Sequence, residues 1–246
     1  MRRFKFAILF LICFTICSEF SLAQKYPSWF LNQGEIPCEL VAGYSTLSYY
    51  RDSSVSYAMQ NAYFNYARWK GSFIYGGQAF WSTEAGTAWM GSNFREEFDT
   101  SLIERTAGIL KPVDTLWMSD YVVVLMSPGD CSLPSQYRVK RSTVNQQPPA
   151  WLSTLPSDKN FHYERGFSEH YYYEINSWMA AETAARLNLA KSLNVSLRML
   201  ERQRAQLDSE KIGEENIKVQ LFNVQVFGRW YDVKNRVHAV LVRMPK

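Results

Sequence analysis

The residues best suited to chemistry are three histidines, His162, His170 and His238, and one polar-aromatic cluster, residues 229–232. A zinc site needs several ligands at close spacing, and the sequence has neither an HExxH motif nor paired CxxC motifs. It also lacks a GxSxG nucleophile elbow and a glycine-rich phosphate loop. We therefore predict no catalytic residue, no metal ligand and no cofactor. The histidines are interpreted as polar residues of the surface or of edge strands.

The polar-aromatic cluster has two interpretations. The simpler one is a turn in which an arginine stacks on a tryptophan. However, Trp, Tyr and Arg also dominate the energetic centres of protein interfaces. The cluster is therefore a candidate interaction patch, with the members Arg229, Trp230, Tyr231 and Asp232.

Residues 1–23 have the pattern of a signal peptide. A basic start is followed by an apolar run of about twelve residues, which is shorter than the roughly twenty that span a bilayer. Small residues at Ser21 and Ala23 suit cleavage before Gln24. Lipidation of Cys17 is the alternative, but Ile16 precedes it where lipid attachment normally wants a small residue. We expect an exported chain.

Two cysteines, Cys38 and Cys131, remain after this cleavage. They flank the first and last strands predicted for the first half of the chain, and an oxidising compartment favours disulfide formation. We predict that they are bonded to each other. The alternative is two buried free thiols.

The elements that position these residues include a helix that the sequence contains twice. Apolar residues at spacings of three and four indicate an amphipathic helix at residues 52–71. Moved by 123 positions, residues 42–68 match 165–191 with nine identities and no gap. The shared small residues predict a packing stripe that lets each helix approach a sheet closely. Its members are Ala58, Ala62, Ala181 and Ala185.

Asn65 and Asn188 are a polar identity between the two helices. A site common to both repeats that needs an amide is one interpretation. The simpler one is a side chain that satisfies backbone groups of the adjacent strand.

Alternating apolar residues predict the strands around each helix. They lie at residues 38–50, 72–75, 109–118 and 121–126 in the first repeat, and at 163–173, 195–200, 217–230 and 237–244 in the second. Gly43 predicts a β-bulge in the first strand. The first helix has N-cap candidates in Asp52, Ser53 and Ser54, and Gly71 predicts a left-handed residue at its C-terminal end. Residues 94–105 predict a second helix.

Strands around one long helix, with terminal hairpins, predict the α+β class. We expect two similar domains, each a helix packed on an antiparallel sheet. The predicted boundaries are residues 24–131 for the first repeat, 132–148 for a linker rich in Pro, Ser, Gln and basic residues, and 149–246 for the second repeat.

Cleavage of the signal peptide removes three basic residues and one acidic residue, so the formal charge falls from +4 to +2. That charge is too small to indicate nucleic acid as a partner.

Both repeats share four sequence features. These are a Pro-x-Trp segment at Pro27 or Pro149, a Gly-Tyr-Ser or Gly-Phe-Ser strand, the alanines of the packing stripe, and a closing strand before a proline. They resemble the LPP-twenty lipoprotein family of bacterial envelope proteins, which includes a domain similar to the N-terminal part of flagellar assembly protein T. The resemblance covers the first half of each repeat best. It implies a helix against an antiparallel sheet, a periplasmic or outer-membrane-associated place, and no catalytic residues.

We expect a non-enzymatic envelope protein that serves as a structural or assembly component and binds another envelope protein. The alternative is a periplasmic module that holds a small ligand in a groove between the repeats. Hydrolase activity is the least supported function, because no nucleophile and base have the required spacing.

Overall fold

The computed structural model describes residues 25–83, 86–144, 146–205 and 214–246, with side chains described except at 78–92 and 195–217. The predicted signal peptide and Cys17 lie outside the described residues. The strands are β1 (Lys25–Pro27), β2 (Val41–Thr46), β3 (Gly71–Thr83), β4 (Gly86–Phe98), β5 (Lys111–Trp117), β6 (Tyr121–Ser127), β7 (Lys140–Ser142), β8 (Phe161–Glu169), β9 (Glu214–Phe222), β10 (Gln225–Asp232) and β11 (Val237–Pro245). The helices are α1 (Ser28–Leu31), α2 (Arg51–Lys70), α3 (Ser101–Ala107), α4 (Ser135–Arg138) and α5 (Glu174–Ala205).

Two three-stranded antiparallel sheets have the same order of strands. In the first half (residues 25–131), β6 lies between β2 and β5; in the second half (residues 149–246), β11 lies between β8 and β10. Helix α2 packs on β2 and β6, and helix α5 packs on β8 and β11. The predicted α+β class with antiparallel sheets is confirmed.

A third sheet joins the two halves. Strand β3 forms a hairpin with β4, and its other edge pairs with β9 from Gly71 opposite Phe222 to Ala79 opposite Glu214. Since β3 follows α2 and β9 follows α5, corresponding segments of the two halves pair with each other. The division into separate domains at 24–131 and 149–246 stays a prediction, and the shared sheet means that the halves bury surface against each other.

The region predicted as a linker, 132–148, contains regular structure in its described part. It holds helix α4 and strand β7, and β7 pairs antiparallel with β1 at the start of the described chain. The backbone N–H of Ser28 also donates to the carbonyl of Val139 at 2.9 Å. These bonds position the N-terminal aromatic residues Tyr26, Trp29 and Phe30, all of them buried.

Each long helix approaches its sheet closely at a glycine of the first strand. A Cβ on Gly43 would lie 2.0 Å from the carbonyl oxygen of Ala58, and a Cβ on Gly166 would lie 2.1 Å from the backbone nitrogen of Ala185. The four stripe alanines are completely buried, as a packing stripe requires. The pairing of β2 with β6 is continuous through Gly43. The bulge predicted there is wrong, because this glycine serves the close approach of α2.

Several predicted boundaries are corrected by the structure. Residues 195–200, predicted as a strand, continue α5, and the strand that pairs with β3 begins only at Glu214. Residues 94–98 belong to β4, where exposure alternates with the period of a strand, and α3 starts at Ser101. Gly71 has an extended backbone with φ −173° and opens β3 directly, so the left-handed helix end is also wrong. Among the described helices, none has the length and apolar character needed to cross a membrane.

Candidate functional site

A pair of exposed tyrosines precedes each long helix. Tyr49 and Tyr50 precede α2, and Tyr172 and Tyr173 precede α5. Each pair forms an edge-to-face contact with ring centroids 4.9 Å apart. Tyr49 is 93% exposed and Tyr172 is 91% exposed. Two amphipathic rings are thus presented to solvent at the same place in each half.

A serine in the first turn of each helix fixes the loop that carries these rings. The backbone N–H of Ser48 donates to Oγ of Ser54, and that of Tyr171 donates to Oγ of Ser177, both at 2.8 Å. Ser54 and Ser177 are a further identity of the repeat, and only the structure shows their role. The predicted N-cap is wrong, because Tyr50 precedes the helix and Ser54 lies within its first turn.

The two repeated asparagines have the structural role predicted for them. Nδ2 of Asn65 donates to the carbonyl of Ala42, and Nδ2 of Asn188 donates to the carbonyl of Arg165, both at 2.9 Å. Each bond ties a long helix to the first strand of its own sheet. The interpretation as an amide that satisfies a backbone group is confirmed.

The candidate patch at residues 229–232 is not an exposed surface. Arg229 is 2% exposed, and Trp230 and Tyr231 are buried as well. Only Asp232 is partly exposed; it accepts hydrogen bonds from Asn235 in the following turn. The prediction of an interaction patch is therefore wrong, because Arg229 contacts Phe30 and Gln33 of the N-terminal segment and Tyr231 stacks on His238 within the second half.

Arg229 is held by neutral groups of the first half. Its Nη1 donates to the carbonyl of Phe30 at 3.1 Å and to Oε1 of Gln33 at 2.9 Å, and its Nη2 donates to the hydroxyl of Tyr44 at 2.7 Å. The guanidinium also lies 4.6 Å from the ring centroid of Phe30, a cation–π contact. This arginine therefore joins β10 of the second half to the first half.

A second buried polar cluster surrounds Glu174 at the start of α5. The Glu174 carboxylate accepts hydrogen bonds from the hydroxyl of Tyr26 and, at 3.1 Å, from Nε1 of Trp178. Nε2 of His238 lies 3.4 Å from the same carboxylate oxygen, and the ring of His238 stacks on Tyr231 with centroids 4.3 Å apart. The interpretation of His238 as a surface or edge-strand residue is wrong, because it is completely buried.

Burial controls the protonation of this cluster. It lowers the pKa of His238, and the hydrogen bond and charge of Glu174 only partly oppose that effect. Burial acts to raise the pKa of Glu174, but hydrogen bonds from His238, Tyr26 and Trp178 prevail and lower it. Burial and then the negative charge of Glu174 raise the pKa of Tyr121. A neutral histidine beside an ionised carboxylate, both shielded from solvent, favours a structural role for the cluster.

A third polar cluster lies between α2, α5 and β4. Arg68 and Arg186 share the carboxylate of Glu96, each at 2.5 Å. Arg186 also donates to Oγ of Ser72 at 2.8 Å and to the carbonyl of Arg68 at 3.1 Å. Burial acts to raise the pKa of Glu96, but the two guanidinium groups outweigh it and lower that pKa to about 2. No pattern in the sequence singled out Arg186, although its place beside Ala185 puts a charge next to the apolar stripe.

A cleft between the two halves connects the arginine clusters. It is lined by residues of both halves, including Asn65, Arg68, Glu182, Arg186, Gln225 and Arg229. The free volume of the cleft is about 20 Å³, which is room for about one water molecule. The site is therefore narrow and rich in positive charge.

Cys38 and Cys131 are bonded to each other, as predicted. Cys38 precedes β2 and Cys131 follows β6, with their Cα atoms 6.0 Å apart. The bond closes the end of the first sheet. The described residues contain no group of three or more side chains arranged to hold a metal ion.

The chain was compared with protein-family models, with curated proteins and with solved structures, and none of the three comparisons found a match.

Proposed function

We propose that the protein is an exported, non-enzymatic component of the bacterial cell envelope that works in the periplasm or at the outer membrane by binding another envelope protein. The signal-peptide pattern of residues 1–23 and the bond between Cys38 and Cys131 support export to an oxidising compartment. The resemblance to the LPP-twenty lipoprotein family supports an envelope location.

The observation that carries the binding role is the repetition of the tyrosine pairs. Tyrosine supplies a large contact area with few rotatable bonds and is enriched at binding hot spots. Tyr49 and Tyr172 are almost fully exposed at corresponding places, and each follows a residue whose backbone N–H donates to a serine of the adjacent helix. Fully solvated aromatic rings add nothing to the core, so their ordered display supports a contact with a partner.

The test is a crosslinking pull-down from intact cells, with wild-type protein compared with a variant that carries Tyr49→Ser and Tyr172→Ser. We expect the wild type to capture a specific envelope protein and the double variant to lose it. The matched control is Tyr57→Ser, which removes a half-exposed tyrosine from the middle of α2. Equal capture by the wild type and the double variant would contradict the role of the tyrosine pairs.

A second candidate function is a small-ligand module, and the cleft between the halves favours it because guanidinium groups of both halves and Trp69 line it. Since the cleft has room for about one water molecule, a metabolite must move its wall in order to bind. A ligand that enters it should raise the thermal midpoint, since binding to the folded state alone is stabilising. Screening small acidic envelope metabolites by thermal shift tests this function, and it fails if no compound shifts the midpoint.

A further inference from the structure

Arg229 is a buried cation without a carboxylate partner in the described part of the chain. Its three hydrogen bonds go to a backbone carbonyl, a side-chain amide and a hydroxyl. No carboxylate of the described residues lies within 4.0 Å of it, and its buried Nε has no hydrogen-bond partner. A buried charge is costly unless an opposite charge or strong hydrogen bonds compensate it.

The charges around the cleft leave an excess of one positive charge. Arg68, Arg186 and Arg229 contribute three guanidinium groups to its lining. Glu96 compensates one of the first two arginines, since both share its carboxylate. Glu182 lines the same cleft, and its negative charge acts on Arg186, so it compensates one more. One positive charge therefore remains without a counter-charge among these groups.

The space in the cleft has the size of one small guest. Its free volume of about 20 Å³ holds about one water molecule, and a chloride ion is only slightly larger. The side-chain amides of Asn65 and Gln225 add polar groups to its wall. Larger anions with several oxygen atoms do not fit without movement of the wall.

We propose that this cleft binds a single small monovalent anion of about the size of chloride. The anion supplies the counter-charge that Arg229 lacks and contacts guanidinium groups from both halves. It thereby stabilises the arrangement of the two halves, independently of the partner binding proposed above.

The test compares thermal unfolding in sodium chloride with unfolding in sodium gluconate at the same ionic strength. Gluconate is too large for the cleft, so it controls for general screening by salt. We expect chloride to raise the midpoint on the order of 3–6 °C at ten times its dissociation constant. Bromide should replace chloride and give an anomalous diffraction peak beside Arg229.

Three variants locate the effect. Arg229→Met should abolish the difference between the two salts. Glu182→Gln removes a competing negative charge from the wall, so it should bind chloride more tightly and reach the full shift at a lower concentration. Arg95→Gln, at an exposed arginine paired with Glu97, should behave as wild type.

Glu182→Gln keeps the test decisive even if Arg229→Met fails to fold. Equal midpoints in chloride and gluconate for both the wild type and Glu182→Gln would overturn the anion site. The site would also be overturned if chloride raised the thermal midpoint of wild type and Glu182→Gln equally and with the same half-saturating concentration, because the anion would then bind elsewhere.

Discussion

A methyl group at Gly166 would test how closely α5 approaches β8. Its Cβ would lie 2.1 Å from the backbone nitrogen of Ala185 and 2.3 Å from the carbonyl oxygen of Ala181. Both contacts are with the backbone of α5, so no side-chain rotation can relieve them. The corresponding Gly43 would bring a Cβ equally close to the backbone of α2. The substitution Gly166→Ala must therefore move the whole helix away from its sheet.

The size of the effect follows from this displacement. To reach ordinary van der Waals contact at 3.4 Å, the helix must move by more than 1 Å. Such a movement loosens the buried contacts along the alanine stripe. Overpacking a well-packed core typically costs about 1–3 kcal/mol. Because the contact is with backbone, we expect about 3 kcal/mol for Gly166→Ala, which lowers the thermal midpoint by roughly 6–12 °C in a chain of this size.

Urea and thermal unfolding followed by circular dichroism measure this loss. The matched control is Gly71→Ala, because a Cβ there meets nothing within 4 Å and the backbone is extended. We expect the control to stay within about 0.5 kcal/mol of wild type. If Gly166→Ala and Gly71→Ala unfold at the same urea concentration and the same temperature, the close contact between α5 and β8 does not exist and the reasoning is refuted.

Three other predictions concern charges and the disulfide bond. Glu96→Gln removes a carboxylate shared by the buried Arg186 and the largely buried Arg68, and should cost about 3–5 kcal/mol in urea unfolding. Glu97→Gln, at an exposed ion pair, should cost less than about 1 kcal/mol, and equal losses would contradict the shared contact. Burial holds the pKa of His238 below 6.5, so the unfolded chain binds a proton first as the pH falls, and stability should decline below that pH. The variant His238→Gln should flatten this decline in melts between about pH 7 and 5, and an unchanged slope would exclude His238 as its source. Cys38 and Cys131 should resist alkylation without reductant, as intact mass measures, and their reduction should cost about 4–5 kcal/mol. Alkylation of both without reductant would contradict the bond.

The parts of the fold that could be predicted from the sequence are those that the chain repeats. Periodicity located both long helices, and the internal match identified the alanine stripe. It also identified Asn65 and Asn188, whose side chains bond to the strands that precede their helices, and the two cysteines pair at one end of the first sheet. These contacts lie within one half, between segments whose order the repeat fixes. Local pattern was therefore enough to predict them.

The remaining features depend on contacts between the halves, which periodicity does not encode. Strand β9 begins only after α5 has continued to Ala205, because its partner is β3 and not a strand of its own half. Arg229 looked like part of a surface patch because nothing near it in sequence covers it. Its partners Phe30, Gln33 and Tyr44 lie far away in the chain. Burial by distant residues cannot be read from the local sequence.

The contacts between the halves also show where the two repeats have diverged. In the register that aligns Ala58 with Ala181, Glu174 corresponds to Arg51 and Arg186 corresponds to Tyr63. Glu174 and Arg186 each make buried polar contacts to the first half, so neither set of contacts can be formed with the two halves exchanged. Buried polar groups fix geometry because a misplaced partner leaves a charge unsatisfied. The repeated glycines and alanines thus build each half, whereas the unrepeated charged residues determine how the halves fit together.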